Sequence, residues 1–366
     1  MLSGPDDAID LQPIRRVLVV KLRHHGDVLL SSPVFSVLRA RAPRAEIDAL
    51  VYEDTREMLS LHPAISQVHG IDRRWKSQPA WRRLACEWAL LQTLRRRRYD
   101  LLIHLTEHTR GAWLARLLGV RHAVAPGYRG KPAFWKNSFS HRFSLPLNPR
   151  RHMVEVNLDA LRRIGVWPEP DERRLCLVPG DPARERVAAL LQGHGIRAGR
   201  FIHLHPTSRW QFKCWPAGQV AALCAELVRQ GEQVVITAAP AEAERRFTRL
   251  VLQEAGAGPL DLTGQLTLKE LAALSASAAL FVGVDSAPMH IAAAVGTPVV
   301  ALFGPSGEAE WGPWGVPSRV VSSQRHACRP CGIDGCGGSK VSDCLVSLAV
   351  QPVLEAIGAL RNARDA

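Results

Sequence analysis

The sequence predicts an α/β protein made of two doubly wound, Rossmann-like halves, each built on a parallel sheet. Short β-branched apolar runs alternate with amphipathic segments of helix length, which is the pattern of repeated βαβ units. The alternation begins again after a proline-containing stretch at residues 166–180, and 366 residues are enough for two domains of ordinary size. Ligands of such sheets bind at the carboxyl ends of the strands.

The predicted elements of the first half, residues 15–165, follow from these periods. Apolar runs that could be buried on both faces predict four strands, at Arg16–Leu22, Glu46–Val51, Val68–Ile71 and Leu101–Leu105. Three- and four-residue apolar spacing predicts helices at Pro33–Arg41, Asp54–Leu61, Trp81–Arg98, Gly111–Leu118 and Met153–Ile164. Residues 126–152 show no period and are rich in Pro, Gly, cations and aromatic residues, which indicates a long loop.

The second half, residues 181–350, follows the linker at 166–180 and repeats the alternation. Its strands are predicted at Arg200–His205, Gln233–Thr237, Asp261–Leu262, Ala279–Val284 and Pro298–Phe303. Its helices are predicted at Arg184–Gln192, Ala217–Gln230, Ala241–Ala255, Leu268–Ala276 and Met289–Val295. A helix at Pro352–Arg361 lies in the C-terminal segment 351–366, and residues 1–14 are expected to be disordered or loosely attached.

The composition predicts a cytoplasmic protein with an anionic partner. Apolar residues make up 46% and charged residues 22%, as in soluble globular proteins, and the formal charge is +13. The first ten residues carry three aspartates and no apolar signal-peptide core, and the longest apolar stretch, Ala278–Gly304, is interrupted by prolines and an aspartate. The positive charge suits nucleic acid, an acidic membrane or a phosphorylated molecule, or reflects a GC-rich genome in part. No nucleic-acid-binding motif is recognisable, so nucleic acid is not an expected partner.

Two strand ends in the second half are candidate phosphate sites. After the strand at 200–205, Thr207 and Ser208 offer hydroxyls and amides and Lys213 adds a cation, although an ordinary strand–helix turn is the alternative. After the strand at 279–284, Asp285 precedes the start of a helix. Amides at 286, 287 and 289 would converge there at the positive helix end, with an imidazole at position 290. In the alternative interpretation, Asp285 caps this helix and the imidazole belongs to the core.

The end of the first strand carries an unusual cluster of charge. Lys21, Arg23, His24 and His25 are followed by Gly-Asp, which places Asp27 in a loop at the strand end. The chain has neither G-x-G-x-x-G after this strand nor the P-loop pattern, so a dehydrogenase or a P-loop NTPase is poorly supported.

Four segments together carry a family resemblance that spans residues 15–360. They are VVKLRHHGDVLLSSPVFSVLRARAP, HPTSRWQFKCWP, VGVDSAPMHIAAAVGTPVVALFGPS and CRPCGIDGCGGSKVSDCL. This combination resembles the family 9 glycosyltransferases, the ADP-heptose:lipopolysaccharide heptosyltransferases. The first segment is most similar to the branch that adds a third heptose to the inner core.

The resemblance implies a GT-B fold, with two Rossmann-like domains facing across a cleft. It implies that the N-terminal domain binds the lipid-linked acceptor and that the C-terminal domain binds ADP-heptose. The implied reaction is inverting and uses no metal or other cofactor. An acceptor hydroxyl attacks the anomeric carbon and ADP leaves. A relative with another acceptor or nucleotide sugar, or a silent nucleotide-sugar-binding protein, is the alternative.

The resemblance also implies residue roles. Asp27 matches the general base, with N-capping of the next helix as the alternative. Lys213 matches the lysine that stabilises the leaving diphosphate, and Arg209 is a second candidate because the spacing is one residue longer than in some relatives. Glu242 matches the ribose-binding carboxylate, with Glu244 close by. The remaining expected ADP-heptose contacts are Thr207, Ser208, Asp285, Ser286, Ala287, Met289 and His290. The expected acceptor contacts are Arg23, His24, His25, Arg110, Arg129 and Lys131.

Two further segments have open interpretations. Cys328, Cys331, Cys336 and Cys344 could bind zinc as four thiolates, but their spacing is not that of paired C-x-x-C knuckles, so reduced or occasionally paired thiols are favoured. The basic loop 129–143 is expected to contact an anionic glycolipid or the inner membrane at its cytoplasmic face. Its interfacial residues would be Phe134, Trp135 and Phe139, and replacing Arg129, Lys131 and Lys136 is expected to weaken liposome binding. Arg95–Arg98 are expected to form a solvated helix end.

Overall fold

The computed structural model describes residues 5–145 and 151–365, and the side chains of residues 364 and 365 are not described. Residues 1–4 and 366 of the predicted terminal segments, and 146–150 of the predicted loop, therefore lie outside the described residues. The chain divides into two compact units between Cys176 and Leu177. This division falls within the stretch 166–180 that the sequence indicates as a linker.

The first unit alternates strands with helices as the sequence predicts. Its strands are β1 Arg16–Val20, β2 Glu46–Tyr52, β3 Gln67–Ile71, β4 Leu101–His104, β5 His122–Pro126 and β6 His141–Phe143. Its helices are α1 His25–Leu29, α2 Ser32–Arg41, α3 Ala80–Arg97, α4 Arg110–Leu118, α5 Ala133–Lys136 and α6 Met153–Arg162. All six strands are parallel, in the order β3-β2-β1-β4-β5-β6.

The second unit has the same plan. Its strands are β7 Phe201–His205, β8 Gln233–Ile236, β9 Leu260–Asp261, β10 Leu280–Val284, β11 Val299–Phe303 and β12 Ser318–Ser322. Its helices are α7 Asp181–Gly193, α8 Ala217–Arg229, α9 Glu242–Ala255, α10 Leu268–Ala276, α11 Ala287–Ala294, α12 Glu308–Trp311, α13 Asp343–Val346 and α14 Gln351–Asp365. The parallel strand order is β12-β11-β10-β7-β8-β9. The predicted class, two doubly wound α/β units, is confirmed.

The two sheets reverse their strand order at equivalent places. In each sheet the first strand of the unit pairs with both the second and the fourth, so the order changes direction between β1 and β4 and between β7 and β10. At such a switch point the loops after the two strands diverge to opposite faces and leave a crevice for a ligand. The residues that follow these four strands are therefore the candidates for contact with a ligand.

Several predicted boundaries are wrong, for reasons that are local. The expected helix at Asp54–Leu61 is a 3-10 segment, Glu53–Met58. The stretch 126–152 is not a structureless loop, because it contains α5 and β6. The sequence does not predict the strands β5, β6 and β12. Strands β6 and β12 are short, partly polar edge strands, so they lack the continuous apolar run of a central strand. Strand β5 lies inside the sheet, but it is only five residues long and includes His122 and Pro126.

Residues 5–14 are attached to the first unit rather than loose. Ile9, Leu11 and Ile14 are buried, and the Ile9 amide donates to the Ile164 carbonyl at 3.1 Å. The Asp7 carboxylate forms a bidentate ion pair with Arg163 on the same unit. In the sequence these apolar residues are separated by Asp10, Gln12 and Pro13, so no regular apolar pattern indicates that they are buried together.

The end of α3 is not simply solvated, because Arg97 anchors it to the sheet. Asp48 of β2 is fully buried and accepts hydrogen bonds from Arg97 Nε at 2.8 Å and from the Tyr99 hydroxyl at 2.6 Å. Burial by itself raises the pKa of Asp48, but hydrogen bonds from His69, Arg97 and Tyr99 outweigh it, and the pKa is lowered. Asp48 is therefore a buried carboxylate held in its charged form.

We expect Arg97→Met to lower the free energy of unfolding of the first unit by about 3 kcal/mol, because it leaves a buried carboxylate without its cation. Arg96→Met is the matched control, since Arg96 is the exposed neighbour on the same helix. Urea unfolding followed by circular dichroism measures both variants. Equal stability of the two variants would contradict the anchoring role. Because the lowered pKa of Asp48 gives stability that is present above its ordinary pKa, the difference between the variants should shrink as the pH falls through the folded-state pKa.

Candidate active site

Asp27 lies at the carboxyl edge of the first sheet, on α1 rather than in a loop. The chain leaves β1, and Asp27 falls in the first turn of α1, whose buried Val28 and Leu29 anchor the short helix to the core. The residue before α1 is His24, and the residue before α2 is Ser31, so Asp27 caps neither helix. The capping alternative for Asp27 is therefore wrong.

The carboxylate of Asp27 is accessible and weakly paired. Its side chain is 16% exposed, and Arg23 Nε lies 3.9 Å from Oδ1, which is an ion pair at long range. Across the described residues, no hydrogen bond to this carboxylate is present. A carboxylate with free lone pairs beside a cation is suited to accept a proton from a hydroxyl group.

Lys21 provides a buried positive charge at the same edge. Its side chain is almost fully buried, and its ammonium donates to the Asn157 Oδ1 at 2.9 Å and the Leu105 carbonyl at 3.3 Å. Burial lowers the pKa of Lys21 to about 8, and the nearby carboxylates of Asp27 and Glu107 oppose part of this fall. The sequence placed Lys21 in the charged cluster but gave no sign that its side chain turns inward.

Glu107 is a residue of this edge that the sequence reasoning missed. It follows β4, the other strand of the switch point, and its carboxylate lies 3.4 Å from Arg23 Nη1 and accepts from the Tyr128 hydroxyl at 3.1 Å. Its carbonyl accepts from Lys131 Nζ at 2.8 Å. Its position after a central strand was the available signal. Glu107 joins two of the expected acceptor-binding cations, Arg23 and Lys131, into one cluster.

The other expected acceptor contacts differ in their exposure and in their partners. His25 donates through Nε2 to the Asp54 carbonyl at 2.8 Å, and its neighbour His24 precedes α1 and is exposed. Arg110 forms an ion pair with Glu87 that joins α4 to α3, so its charge is already compensated. Arg129 is exposed. The structure thus brings Arg23 and Lys131 together and gives Arg110 a structural contact.

In the second unit, Lys213 and Asp285 meet across the switch point. Lys213 lies in a 3-10 turn after β7, and Asp285 directly follows β10. The Lys213 Nζ donates to the Asp285 Oδ2 at 2.6 Å. Asp285 is 6% exposed, and the side chain of Lys213 is 23% exposed. Ser286, not Asp285, occupies the capping position of α11. Asp285 therefore serves to hold the ammonium of Lys213 in place, which the capping alternative did not foresee.

The loop after β7 is held by its own polar side chains. The Thr207 hydroxyl donates to Glu244 Oε2 at 2.7 Å, and the same oxygen accepts from the Ala239 amide at 3.2 Å. The Ser208 hydroxyl accepts from the Trp210 amide at 3.3 Å. Beneath them His205 is buried, and burial lowers its pKa to about 3, so it is neutral. Glu244 thus acts within the protein and fixes the loop that carries Lys213.

Glu242 and Arg209 are more exposed than Glu244 and Lys213, the alternative candidates for the same roles. Glu242 opens α9 with a side chain 76% exposed and an ion pair to Arg249 at 2.8 Å. Arg209 is exposed, with its guanidinium 5.3 Å from the centre of the Trp210 ring. Glu242 is thus freer than Glu244 to meet a ligand hydroxyl, and Arg209 is an exposed cation four residues before the ion-paired Lys213.

The start of α11 supports only part of the expected cluster of amides. Ser286 and Ala287 lie at the capping position and the first helical residue, where amides have no partner earlier in the helix. The Met289 amide, however, donates to the Ser286 carbonyl at 3.2 Å, so its contact with a phosphate stays a prediction. His290 is buried on the same helix, as the core-imidazole alternative allows.

The C-terminal cysteines differ in their exposure. Cys344 is buried and Cys328 exposed, and burial raises the pKa of the Cys344 thiol. Within residues 5–145 and 151–365, no three His, Cys, Asp or Glu side chains are arranged to hold a metal ion. The alternative of a four-thiolate zinc site is therefore unsupported, and all eight cysteines are free thiols.

Comparison with known proteins connects these edges to a family. The chain is 37% identical over 295 residues to lipopolysaccharide heptosyltransferase 3 of Escherichia coli, with 80% of this chain and 84% of that protein covered. Two solved structures share the fold. The family 9 glycosyltransferase of Veillonella parvula has a TM-score of 0.83 at 21% identity and covers 98% of this chain and 100% of its own. The E. coli heptosyltransferase WaaC with ADP-2-deoxy-2-fluoro heptose has a TM-score of 0.70 at 20% identity, covering 94% and 99%.

These likenesses confirm the GT-B fold class. The family model described as "Glycosyltransferase family 9 (heptosyltransferase)" matches residues 87–340, well over half of the chain. The residues at both switch points are those through which the sequence resembled this family. The chain belongs to glycosyltransferase family 9.

Proposed function

We propose that the protein transfers a heptose from ADP-heptose to the inner core of lipopolysaccharide, adding the third heptose to the second. The observation that carries the proposal is the 37% identity, across most of both chains, to a protein named lipopolysaccharide heptosyltransferase 3. The charged groups at the carboxyl edges of both sheets give this proposal a chemical basis.

The second unit supplies the donor site in this proposal. Lys213, positioned by Asp285, meets the diphosphate, and the amides of Ser286 and Ala287 at the start of α11 add partial positive charge. Arg209 is the second cation for the phosphates, and Thr207 and Ser208 shape the loop. Glu242 binds the ribose hydroxyls in this proposal. Its carboxylate is exposed to solvent and can therefore accept hydrogen bonds from a ligand.

The first unit supplies the acceptor site. Arg23 and Lys131, gathered around Glu107, offer positive charge for the anionic groups of the inner core, and Arg129, His24 and His25 lie in the neighbouring segments. Asp27 is the general base. The buried ammonium of Lys21 adds a further positive charge at the same edge of the sheet.

The proposed reaction is a single displacement. The acceptor hydroxyl oxygen forms a bond to the anomeric carbon while the bond from that carbon to the diphosphate oxygen breaks, so the anomeric configuration inverts. The hydroxyl proton passes to Asp27. The negative charge that develops on the departing ADP is stabilised by Lys213 and the helix end. We place the enzyme at the cytoplasmic face of the inner membrane, in peripheral contact with it, since the proposed acceptor is lipid-linked.

A direct test uses purified protein, ADP-heptose and truncated core acceptors that carry one or two heptoses. We expect mass spectrometry to show the gain of one heptose on the two-heptose acceptor and none on the shorter one. Asp27→Asn protein is the control for background transfer.

Other outcomes would contradict specific parts of the proposal. Transfer to the one-heptose acceptor would show that the enzyme acts at another core position. Transfer from a different nucleotide sugar, and none from ADP-heptose, would overturn the donor assignment.

A further inference from the structure

Helix α3 exposes an apolar stripe to solvent as well as packing against the core. Trp81, Leu84 and Trp88 are 66%, 69% and 59% exposed, and their spacing puts them on one side of the helix. The opposite side is apolar too, and it packs into the core of the first unit through Leu90 and the fully buried Leu94. One apolar side of α3 is therefore buried against its own domain, and the other apolar side is exposed to solvent.

Helix α4 extends this stripe. Trp113 and Leu117, one turn apart, are 54% and 40% exposed. The two helices are neighbours, because Glu87 of α3 pairs with Arg110 of α4 and Arg95 Nε donates to the Leu117 carbonyl at 2.9 Å. We call the surface formed by Trp81, Leu84, Trp88, Trp113 and Leu117 the α3–α4 face. Large exposed apolar side chains on adjacent elements mark an interaction site more often than scattered ones do.

The surroundings of the α3–α4 face are strongly positive. Residues 73–98 contain nine Lys or Arg and a single acidic residue, Glu87, which is neutralised by Arg110. Three of the nine, Arg73, Arg74 and Arg97, form ion pairs with aspartates outside this segment, and the other six leave the excess of positive charge. Arg82, Arg83 and Arg96 are exposed beside or beyond the stripe. Charge complementarity therefore selects an anionic partner, and tryptophan with arginine around leucine is the composition of a helix that lies in a membrane interface.

We propose that the α3–α4 face docks on an anionic lipid bilayer, with the tryptophans at the level of the headgroups and the arginines on their phosphates. The described part of the chain has no helix long and apolar enough to span a bilayer, so docking of this kind is a way to hold the protein at a membrane. The surface differs from the loop 129–143 that the sequence favoured. Trp135 and Phe139 are 1% and 6% exposed and belong to the core, and Phe134 packs on Trp113 at 4.6 Å between ring centres.

The position of the face agrees with a lipid-linked acceptor, a point that rests on the proposed function. Trp81, Leu84 and Trp88 lie in the N-terminal half of α3, and Arg110 starts α4 just after β4. Helices that connect parallel strands begin near the carboxyl edge of the sheet. The face therefore adjoins the edge that holds Asp27 and Glu107.

Vesicle co-sedimentation of the full chain tests the docking without any sugar substrate. The probes are vesicles of phosphatidylcholine with about a third phosphatidylglycerol, and vesicles of phosphatidylcholine alone. We expect the parent protein to bind the anionic vesicles and the Trp81→Ser/Trp88→Ser protein to bind them about tenfold more weakly. Arg82→Gln/Arg83→Gln should weaken binding and reduce its dependence on salt.

Two variants serve as comparisons. Trp167→Ser removes a tryptophan that is 43% exposed elsewhere on the first unit, and it should bind as the parent does. Replacing Arg129, Lys131 and Lys136 by Gln removes charge from the loop 129–143, and the loss should be smaller than for the tryptophan pair. Because the replaced tryptophans are exposed, circular dichroism should show parent-like folding.

Three results would overturn the proposal. The first is parent-like vesicle binding by the Trp81→Ser/Trp88→Ser protein. The second is a loss as large with Trp167→Ser as with the pair. The third is a parent that sediments as a dimer and becomes monomeric in the pair variant, which would make the face an interface between copies. Failure of heptose transfer with intact vesicle binding would count against the proposed function alone.

Discussion

Asp27→Asn is expected to lower turnover by about 10³-fold while the protein remains folded. An amide cannot accept the hydroxyl proton, and a positioned general base contributes about 10²–10⁴-fold. The carboxylate makes no hydrogen bond within the described residues and lies 3.9 Å from Arg23, so little structure depends on its charge. Its place in the first turn of α1 is worth only about 0.3–1 kcal/mol through the helix dipole. Single-turnover transfer and thermal unfolding, measured on the same preparation, separate the two effects.

The matched control for this variant is Asp181→Asn. Asp181 also lies in the first turn of a helix, α7, and is exposed, but no role at a switch point is proposed for it. Both variants should lose similar stability, and only Asp27→Asn should lose turnover. If Asp27→Asn transfers heptose as fast as the parent, the proposed base is wrong whatever the fate of the control.

Lys213→Met is expected to lower the rate of transfer by about 10²–10³-fold, which is the size of the effect when one preorganised charge-stabilising donor is removed. It should also weaken ADP binding, measured by calorimetry, because the ammonium contacts the diphosphate of ADP in the proposed donor site. The substitution also removes the cation that pairs with Asp285. A nearly buried carboxylate without its cation lowers the free energy of unfolding. The thermal midpoint should therefore fall as well, and rates are best compared below it.

Lys340→Met is the matched control, since Lys340 also pairs with an aspartate, Asp334, at 2.9 Å, in the stretch between β12 and α13. It should transfer heptose at the parent rate. Arg209→Gln separates the two candidate cations. A larger loss with Arg209→Gln than with Lys213→Met would reverse their proposed roles, and parent-like ADP binding by Lys213→Met would remove the lysine from the donor site.

The composition of a basic segment does not show whether its aromatic side chains are exposed or buried. Both the segment 129–143 and α3 combine arginines with aromatic residues, and composition does not distinguish them. The short helix α5 turns Trp135 inward, where it packs with Phe139 and His104, whereas α3 turns Trp81 and Trp88 outward. The direction of a side chain depends on which helix face the domain already covers, and this is a property of the packed unit.

The partners of charged side chains, such as Arg97 and Glu244, are likewise not visible in the sequence. In the sequence, Arg97 is one of four consecutive arginines and Glu244 one of two alternate glutamates. In the structure one arginine neutralises a buried carboxylate of β2, and one glutamate fixes Thr207 from a neighbouring strand–helix unit. Such partners are distant in the chain, and no local pattern encodes them.

Local patterns were enough to predict the two βαβ halves, the family resemblance and the strand ends near which Asp27, Lys213 and Asp285 lie, because buried parallel strands and their polar ends can be recognised from neighbouring residues. Four features became visible only in the folded chain: the common strand order of the two sheets, the contact of Lys213 with Asp285, the burial of the Lys21 side chain and the exposure of the α3–α4 face. The physical reason is that strand pairing and burial depend on contacts between segments far apart in the chain. They therefore fix which charges are compensated and which apolar side chains are left for a partner.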